Sequence, residues 1–117
     1  MIRNCAILFY LCISASLFAQ NFEWISTAGG LKSDKGTTIA VDGDGNTFIT
    51  GYYNEEADFG PLNTGYSFDS SKEVFVAKMD PNGNYLWVVN GLNYYDDRGL
   101  GLCLDPMGNV YVTGTCW

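Results

Sequence analysis

"AVDGDGNTFITG" (40–51), "MDPNGNYLW" (79–87) and "CLDPMGNVYVTG" (103–114) are the stretches that decide how this chain folds. Each sets Asp-x-x-Gly-Asn between short runs rich in Val, Ile, Thr, Phe and Tyr. Asp at the first position can cap a turn with its carboxylate. Pro at the second, present in two of the copies, presets φ, and Gly at the fourth tolerates φ > 0 before the strand restarts. The pattern predicts a type I turn plus bulge at Asp42, Gly45 and Asn46, again at Asp80, Gly83 and Asn84, and again at Asp105, Gly108 and Asn109. The weaker alternative is a calcium loop at Asp42 and Asp44. Against it, Asp44 is replaced by Asn82 and Met107 in the other copies, and methionine is a poor ligand for a hard cation. The twelfth loop position, a carboxylate in an EF-hand, is Tyr53. No other metal or cofactor is expected.

Between the turns lie candidate strands. "GTTIAVD" (36–42) and "NTFITGYY" (46–53) flank the first turn, "EVFVAKMD" (73–80) and "NYLWVVN" (84–90) the second, and "GLGLCLD" (99–105) and "NVYVTGT" (109–115) the third. In "VFVAKM", Val74 and Val76 face one way while Phe75, Ala77 and Met79 face the other. Strands apolar on both alternations belong to a sheet covered on both sides. No helical periodicity is visible beyond the N-terminal segment.

The chain also repeats. "NFEWISTAGGLKSDKGTTIAVDGDGNTFITG" begins at Asn21, and "NYLWVVNGLNYYDDRGLGLCLDPMGNVYVTG" begins at Asn84. Without a gap, Asn21, Trp24, Asp34, Gly36, Asp42, Gly45, Asn46, Thr50 and Gly51 recur as Asn84, Trp87, Asp97, Gly99, Asp105, Gly108, Asn109, Thr113 and Gly114. Each period supplies four antiparallel strands as two hairpins joined by a longer loop, "NEEADFGPLNTGYSFDSSK" (54–72). Four-stranded units packed face to face make a β-propeller, so the fold class is all-β with four-stranded antiparallel blades. Residues 36–90 read as one complete blade, 22–28 as the outer strand of a preceding blade, and 99–115 as the first two strands of the next. One full blade is short of a ring, so the chain is expected to be an N-terminal piece whose partners include the remaining blades of the same protein.

The chain is acidic, with a formal charge of −7, and lacks any basic run, so nucleic acid and anionic lipid are excluded as electrostatic partners. It has no histidine, which removes histidine general-base catalysis and imidazole metal sites. Residues 1–19, "MIRNCAILFYLCISASLFA", order a positive charge, an apolar run and small residues as a secretory signal peptide does, with cleavage after Ala19. The run is short of the ~20 apolar residues a spanning helix needs, so residues 20–117 are expected to be exported, with no membrane span. Cys103 and Cys116 remain after cleavage. Their offset along the hairpin, with Cys103 opposite roughly Val110, predicts no disulfide between them.

These motifs resemble those of the secreted bacterial β-propeller repeat proteins: "AVDGDGNTFITG" (40–51), "DFG" (58–60), "EVFVAKMDPNGNYLW" (73–87) and "CLDPMGNVYVTG" (103–114). The chain departs from the family pattern at Glu73, where Asp is common, and in "GLNYYDDRG" (91–99), which lacks a second linker Gly. The resemblance implies an extracellular or surface scaffold and no shared catalytic residues.

Alternating strand direction puts the loops between second and third strands, and those between blades, on one face. That face carries Asp34, Glu55, Glu56, Asp58, Tyr66, Tyr95, Asp96 and Asp97, the candidate ligand contacts. Carboxylates beside aromatics can hold a sugar or a cationic protein group, so protein or carbohydrate is the expected partner class. The rival reading is an extracytoplasmic propeller enzyme, a hydrolase, lyase or lactonase, with catalytic groups in other blades. Recurrence of Trp24 as Trp87 suggests packing between blades, and recurrence of Asp34 as Asp97 suggests a structural cap.

Overall fold

The computed structural model describes residues 23–67, 70–92 and 94–117. The expected signal peptide, Cys5 and Cys12 lie outside the described residues. All described regular structure is β: β1 (Ala28–Gly29), β2 (Lys35–Val41), β3 (Thr47–Asn54), β4 (Asp58–Phe59), β5 (Leu62–Asn63), β6 (Lys72–Met79), β7 (Tyr85–Asn90), β8 (Arg98–Leu104) and β9 (Val110–Thr115).

β2, β3, β6 and β7 form one antiparallel sheet in that order. This is the four-stranded meander expected over 36–90, and β8–β9 is the expected hairpin over 99–115. The repeat extends to irregularities of the backbone. The β2–β3 register shifts between Gly36 and Thr38, and the β8–β9 register shifts at the corresponding place, between Gly99 and Gly101. Gly51 and Gly114 recur because a Cβ on either would strike the carbonyl of Lys35 or Arg98 on the paired strand.

The three turns are superposable in their bonding. In each, the Asp carbonyl accepts from the Gly amide at 3.0–3.1 Å. One carboxylate oxygen of Asp42 accepts the amides of Asp44 (3.0 Å) and Asn46 (2.8 Å), and the other accepts the Asn46 side-chain amide at 2.8 Å. Asp80 and Asp105 repeat the set on Asn84 and Asn109. Gly45, Gly83 and Gly108 sit at φ +83°, +81° and +84°, where only glycine is unstrained. Donors hold all three carboxylates below the usual carboxylate range, the Asn side-chain amide being the largest cause. Turn chemistry therefore accounts for both oxygens of Asp42, and among the described residues no group of three Cys, Asp or Glu side chains is placed to hold a metal ion.

Both faces of the central strands β3 and β6 are covered, as the double apolar alternation requires, while Ile39 of β2 and Val89 of β7 stay exposed. Phe75, Ala77 and Met79 are buried on one face with Tyr53, Ala57 and Phe59, and Ile49, Leu62, Tyr85 and Val88 pack around them. Phe59 touches Phe75 (ring centres 4.8 Å) and meets Tyr85 edge-on (5.4 Å, 89°). The long 54–72 connection is thus not merely a loop. Its β4–β5 hairpin inserts Phe59 into the core and pairs through Asp58–Phe59 with β1. On the opposite face, β8 lies across β2 and β3. Thr37 Oγ1 donates to the Gly99 carbonyl (2.6 Å) and Thr38 Oγ1 to that of Leu100 (2.9 Å), and the Arg98 guanidinium stands 5.3 Å from the Tyr52 ring centre.

The expected strand over 22–28 takes a different form. Phe22 lies outside the described residues, residues 23–27 carry no strand, and Ala28 enters the two-residue β1 instead. A strand exists only where a neighbour supplies its ladder, and here the segment finds side-chain packing in place of an edge. Trp24 lies on the second turn, its indole Nε1 donating to the Pro81 carbonyl at 3.0 Å with the ring against Gly83. Trp87 meets Phe48 edge-on at 6.1 Å.

Candidate functional site

The loops at the ends of β3, β6 and β8 lie at one end of the sheet, but Asp34, Glu55, Glu56, Asp58, Tyr66, Tyr95, Asp96 and Asp97 do not converge on one site. Asp34 and Asp97 are caps. Asp34 accepts the amides of Gly30 (2.6 Å) and Asn54 (3.1 Å), and the buried Asp97 accepts the amide of Trp117 (3.3 Å), the residue in the repeat position of Asn54. Asp96 clamps the start of β6. It accepts the Lys72 amide (3.0 Å), the Lys72 ammonium (3.1 Å) and the Arg98 guanidinium (3.2 Å). The Lys72 amide is the chief cause that lowers its pKa to about 2. Tyr95 is exposed and stands apart from the cleft described next.

The remaining four candidates do meet. Glu55, Glu56, Asp58 and Tyr66 line a cleft of about 320 Å³ with Gly29, Gly30 and Leu31. Glu55 stands at φ +69°, outside the usual range for a residue with a Cβ. Ser67 holds it there: the Ser67 amide donates to the Glu55 carbonyl (2.6 Å) and the Glu55 amide to Ser67 Oγ (3.1 Å). Lys32 approaches the Glu55 carboxylate at 3.6 Å. The Asn63 side-chain amide bridges two carboxylates, donating to Glu56 (2.9 Å) and Asp58 (2.6 Å). The Tyr66 hydroxyl faces Glu56, and their hydrogen bond raises the phenol pKa. Tyr66 is 70% exposed and Leu31 fully so. The cleft therefore presents carboxylate acceptors beside an accessible aromatic ring and an aliphatic wall. Such a surface suits a ligand rich in hydroxyl or cationic donors and repels anions.

Two features escaped the sequence reading. Leu31, Gly29 and Gly30 form one wall of the cleft, and no local pattern marks them. Glu73 is fully buried at the same end of the sheet and accepts from Ser71 Oγ at 2.9 Å. Its departure from the family pattern was the only available signal.

Residues 23–59, which supply β1 to β4 and most of this cleft, match the β-propeller repeat family. The fold is that of a β-propeller fragment, and the family match is confined to that stretch. The propeller chain is also similar to an uncharacterised WD repeat-containing protein of Acanthamoeba polyphaga mimivirus, at 25% identity over 108 residues. That match covers 79% of this chain and 8% of the viral protein, so the propeller chain spans a small part of the relative's length. No solved structure matches it. Among the described residues no helix is long and apolar enough to cross a membrane.

Proposed function

We propose that this propeller repeat is an exported or cell-surface scaffold that binds a protein or glycan, and that the cleft of Glu55, Glu56, Asp58 and Tyr66 is its contact surface. The observation that carries this reading is the cleft itself. Three carboxylates and an exposed tyrosine are gathered by a β4–β5 hairpin that is anchored in the core through Phe59. A rigidly mounted acceptor cluster loses little freedom on binding. The carboxylates accept from sugar hydroxyls or from Lys and Arg side chains, and the Tyr66 ring gives a stacking platform.

A glycan array followed by calorimetric titration tests it, with a cationic peptide library alongside. Binding that Tyr66→Ala and Asp58→Asn each weaken, with unchanged melting temperature, supports the cleft. Binding indifferent to both substitutions refutes it. Export is tested separately by sequencing the N-terminus of the chain recovered outside the producing cell, where Gln20 is the expected first residue.

A further inference from the structure

Asn-Gly occurs twice in the chain, at Asn82–Gly83 and at Asn90–Gly91. Asparagine is chemically labile, and most so before glycine, whose bare backbone leaves its nitrogen open to attack the asparagine side-chain carbonyl. The structure treats the two sites differently. Asn90 ends β7 and pairs with Phe75. Its side-chain amide donates to the Tyr53 hydroxyl (2.7 Å) and the Thr64 carbonyl (3.4 Å), and the Gly91 amide donates to the Val74 carbonyl (3.0 Å). Attack there requires the end of β7 to leave the sheet and the core tyrosine together. Asn82 stands exposed at the tip of the second turn, between the last residue of β6 and the first of β7. The attacking nitrogen, that of Gly83, is engaged by one bond to the Asp80 carbonyl (3.0 Å). Opening the turn frees it while β6 and β7 stay paired.

The same turn is the seat of Trp24. The indole Nε1 donates to the Pro81 carbonyl at 3.0 Å, and the ring lies against Gly83. The corresponding glycines of the other turns carry no ring: a Cβ on Gly45 would meet Pro81, and one on Gly108 would meet nothing. The position of Asn82 is held by Asp44 in the first turn, with its amide on Asp42 at 3.0 Å as that of Asn82 is on Asp80 at 2.9 Å. Ordinary aspartate therefore fits this geometry. Isoaspartate does not, because it carries the chain through the side-chain carbon and lengthens the backbone just where Gly83 meets the indole.

We propose that Asn82–Gly83 is a site of spontaneous deamidation, held in check by Trp24, and that isoaspartate formed there releases Trp24 from the turn. The Gly83 backbone nitrogen attacks Asn82 Cγ, and the side-chain nitrogen leaves as ammonia with the Gly83 amide proton. Water then opens the cyclic imide at either carbonyl. Attack at Cγ gives aspartate, and attack at the backbone carbonyl gives isoaspartate. Nothing is oxidised or reduced, and water is the sole co-reactant. Trp24 slows the first step because its bond to Pro81 and its ring on Gly83 hold the turn closed. The site is distinct from the acidic cleft and stands without it.

The full chain is held in mildly alkaline buffer for weeks and sampled by peptide mapping, with electron-transfer fragmentation to separate aspartate from isoaspartate. Deamidation at Asn82 well ahead of Asn90 is expected, with isoaspartate among the products. Trp24→Phe keeps a ring but loses the Nε1 donor. It should speed the reaction at Asn82 about fivefold, the scale of one lost hydrogen bond, while Asn90 stays slow and so reports an intact sheet. Asn82→Gln should abolish the reaction, because the longer side chain closes an imide far more slowly. In the aged chain the Trp24 indole proton, followed by NMR, should shift and exchange faster. In Asn82→Asp, which has the new charge without the longer backbone, it should stay as in the fresh chain. Four results each overturn the proposal: Asn90 reacting as fast as Asn82, Asn82 intact while a free peptide of residues 79–87 deamidates, a rate indifferent to Trp24→Phe, or an undisturbed Trp24 indole in the isoaspartyl chain.

Discussion

Gly45→Ala and Gly83→Ala form a matched pair that isolates what Trp24 contributes. Both glycines occupy the fourth position of the same turn type in the same four-stranded sheet, at φ +83° and +81°. Alanine at either pays a left-handed backbone cost of ~1–2 kcal/mol. Their surroundings differ. A Cβ on residue 45 would meet Pro81 Cγ at 3.5 Å, an ordinary contact. A Cβ on residue 83 would come within 2.5 Å of Trp24 Cε3 and 2.6 Å of Cδ2, so the indole must leave. Its departure breaks the bond from Nε1 to the Pro81 carbonyl, about 0.5–1.5 kcal/mol, and uncovers ring surface worth roughly another 1 kcal/mol. Gly83→Ala should therefore exceed Gly45→Ala by about 1–2 kcal/mol. Urea unfolding followed by far-ultraviolet circular dichroism measures both. In a Trp24→Ala background the excess should disappear, because the displaced group is already gone. Equal costs for the two glycines, or an excess that survives Trp24→Ala, would show that the indole does not hold the second turn.

Phe59→Ala should destabilise by ~3–5 kcal/mol in the same assay, since the side chain is 2% exposed against Phe75 and Tyr85; a cost below 1 kcal/mol would mean that β4–β5 is not part of the core. Asp96, Asp42, Asp80 and Asp105 all have folded pKa values below their ordinary value, Asp96 at about 2. A depressed folded pKa means that the unfolded chain binds protons more readily, so stability is held above about pH 4 and lost as pH falls toward 2. Asp96→Asn should flatten part of that loss, and carbon-detected NMR should place the Asp96 midpoint near 2. Asp80→Ala removes the acceptor for the Asn82 and Asn84 amides and should lower the melting temperature, while exchange at those amides rises; unchanged exchange would refute the cap.

The turns were legible in the sequence because their chemistry is local. One carboxylate, one amide side chain and one glycine within five positions define the geometry, and no distant residue is needed. The strands were legible for a related reason: alternation over six to eight residues survives any packing partner. The repeat then carried the four-strand unit, and it carried the Asp34 and Asp97 caps. Register was read less finely, since Cys103 lies opposite Tyr111 where roughly Val110 was expected, a one-residue difference set by the turn, the register shift falling beyond Cys103 between Gly99 and Gly101. Both thiols are free and exposed in the structure.

Tertiary structure alone decided the rest. β4 and β5 are two residues each, too short for any period to show, and exist because Phe59 fills the core between Phe75 and Tyr85. β1 forms because Asp58–Phe59 offers it an edge, and the segment before it packs through Trp24 on a turn far along the chain. These placements bring Gly29–Leu31 against Glu55, Glu56, Asp58 and Tyr66, and they leave Asp96 with Lys72 and Arg98. Alternating strand direction put all of these acids on one end of the sheet. Which of them share a cleft depends on contacts between segments some thirty residues apart, and no local pattern encodes those.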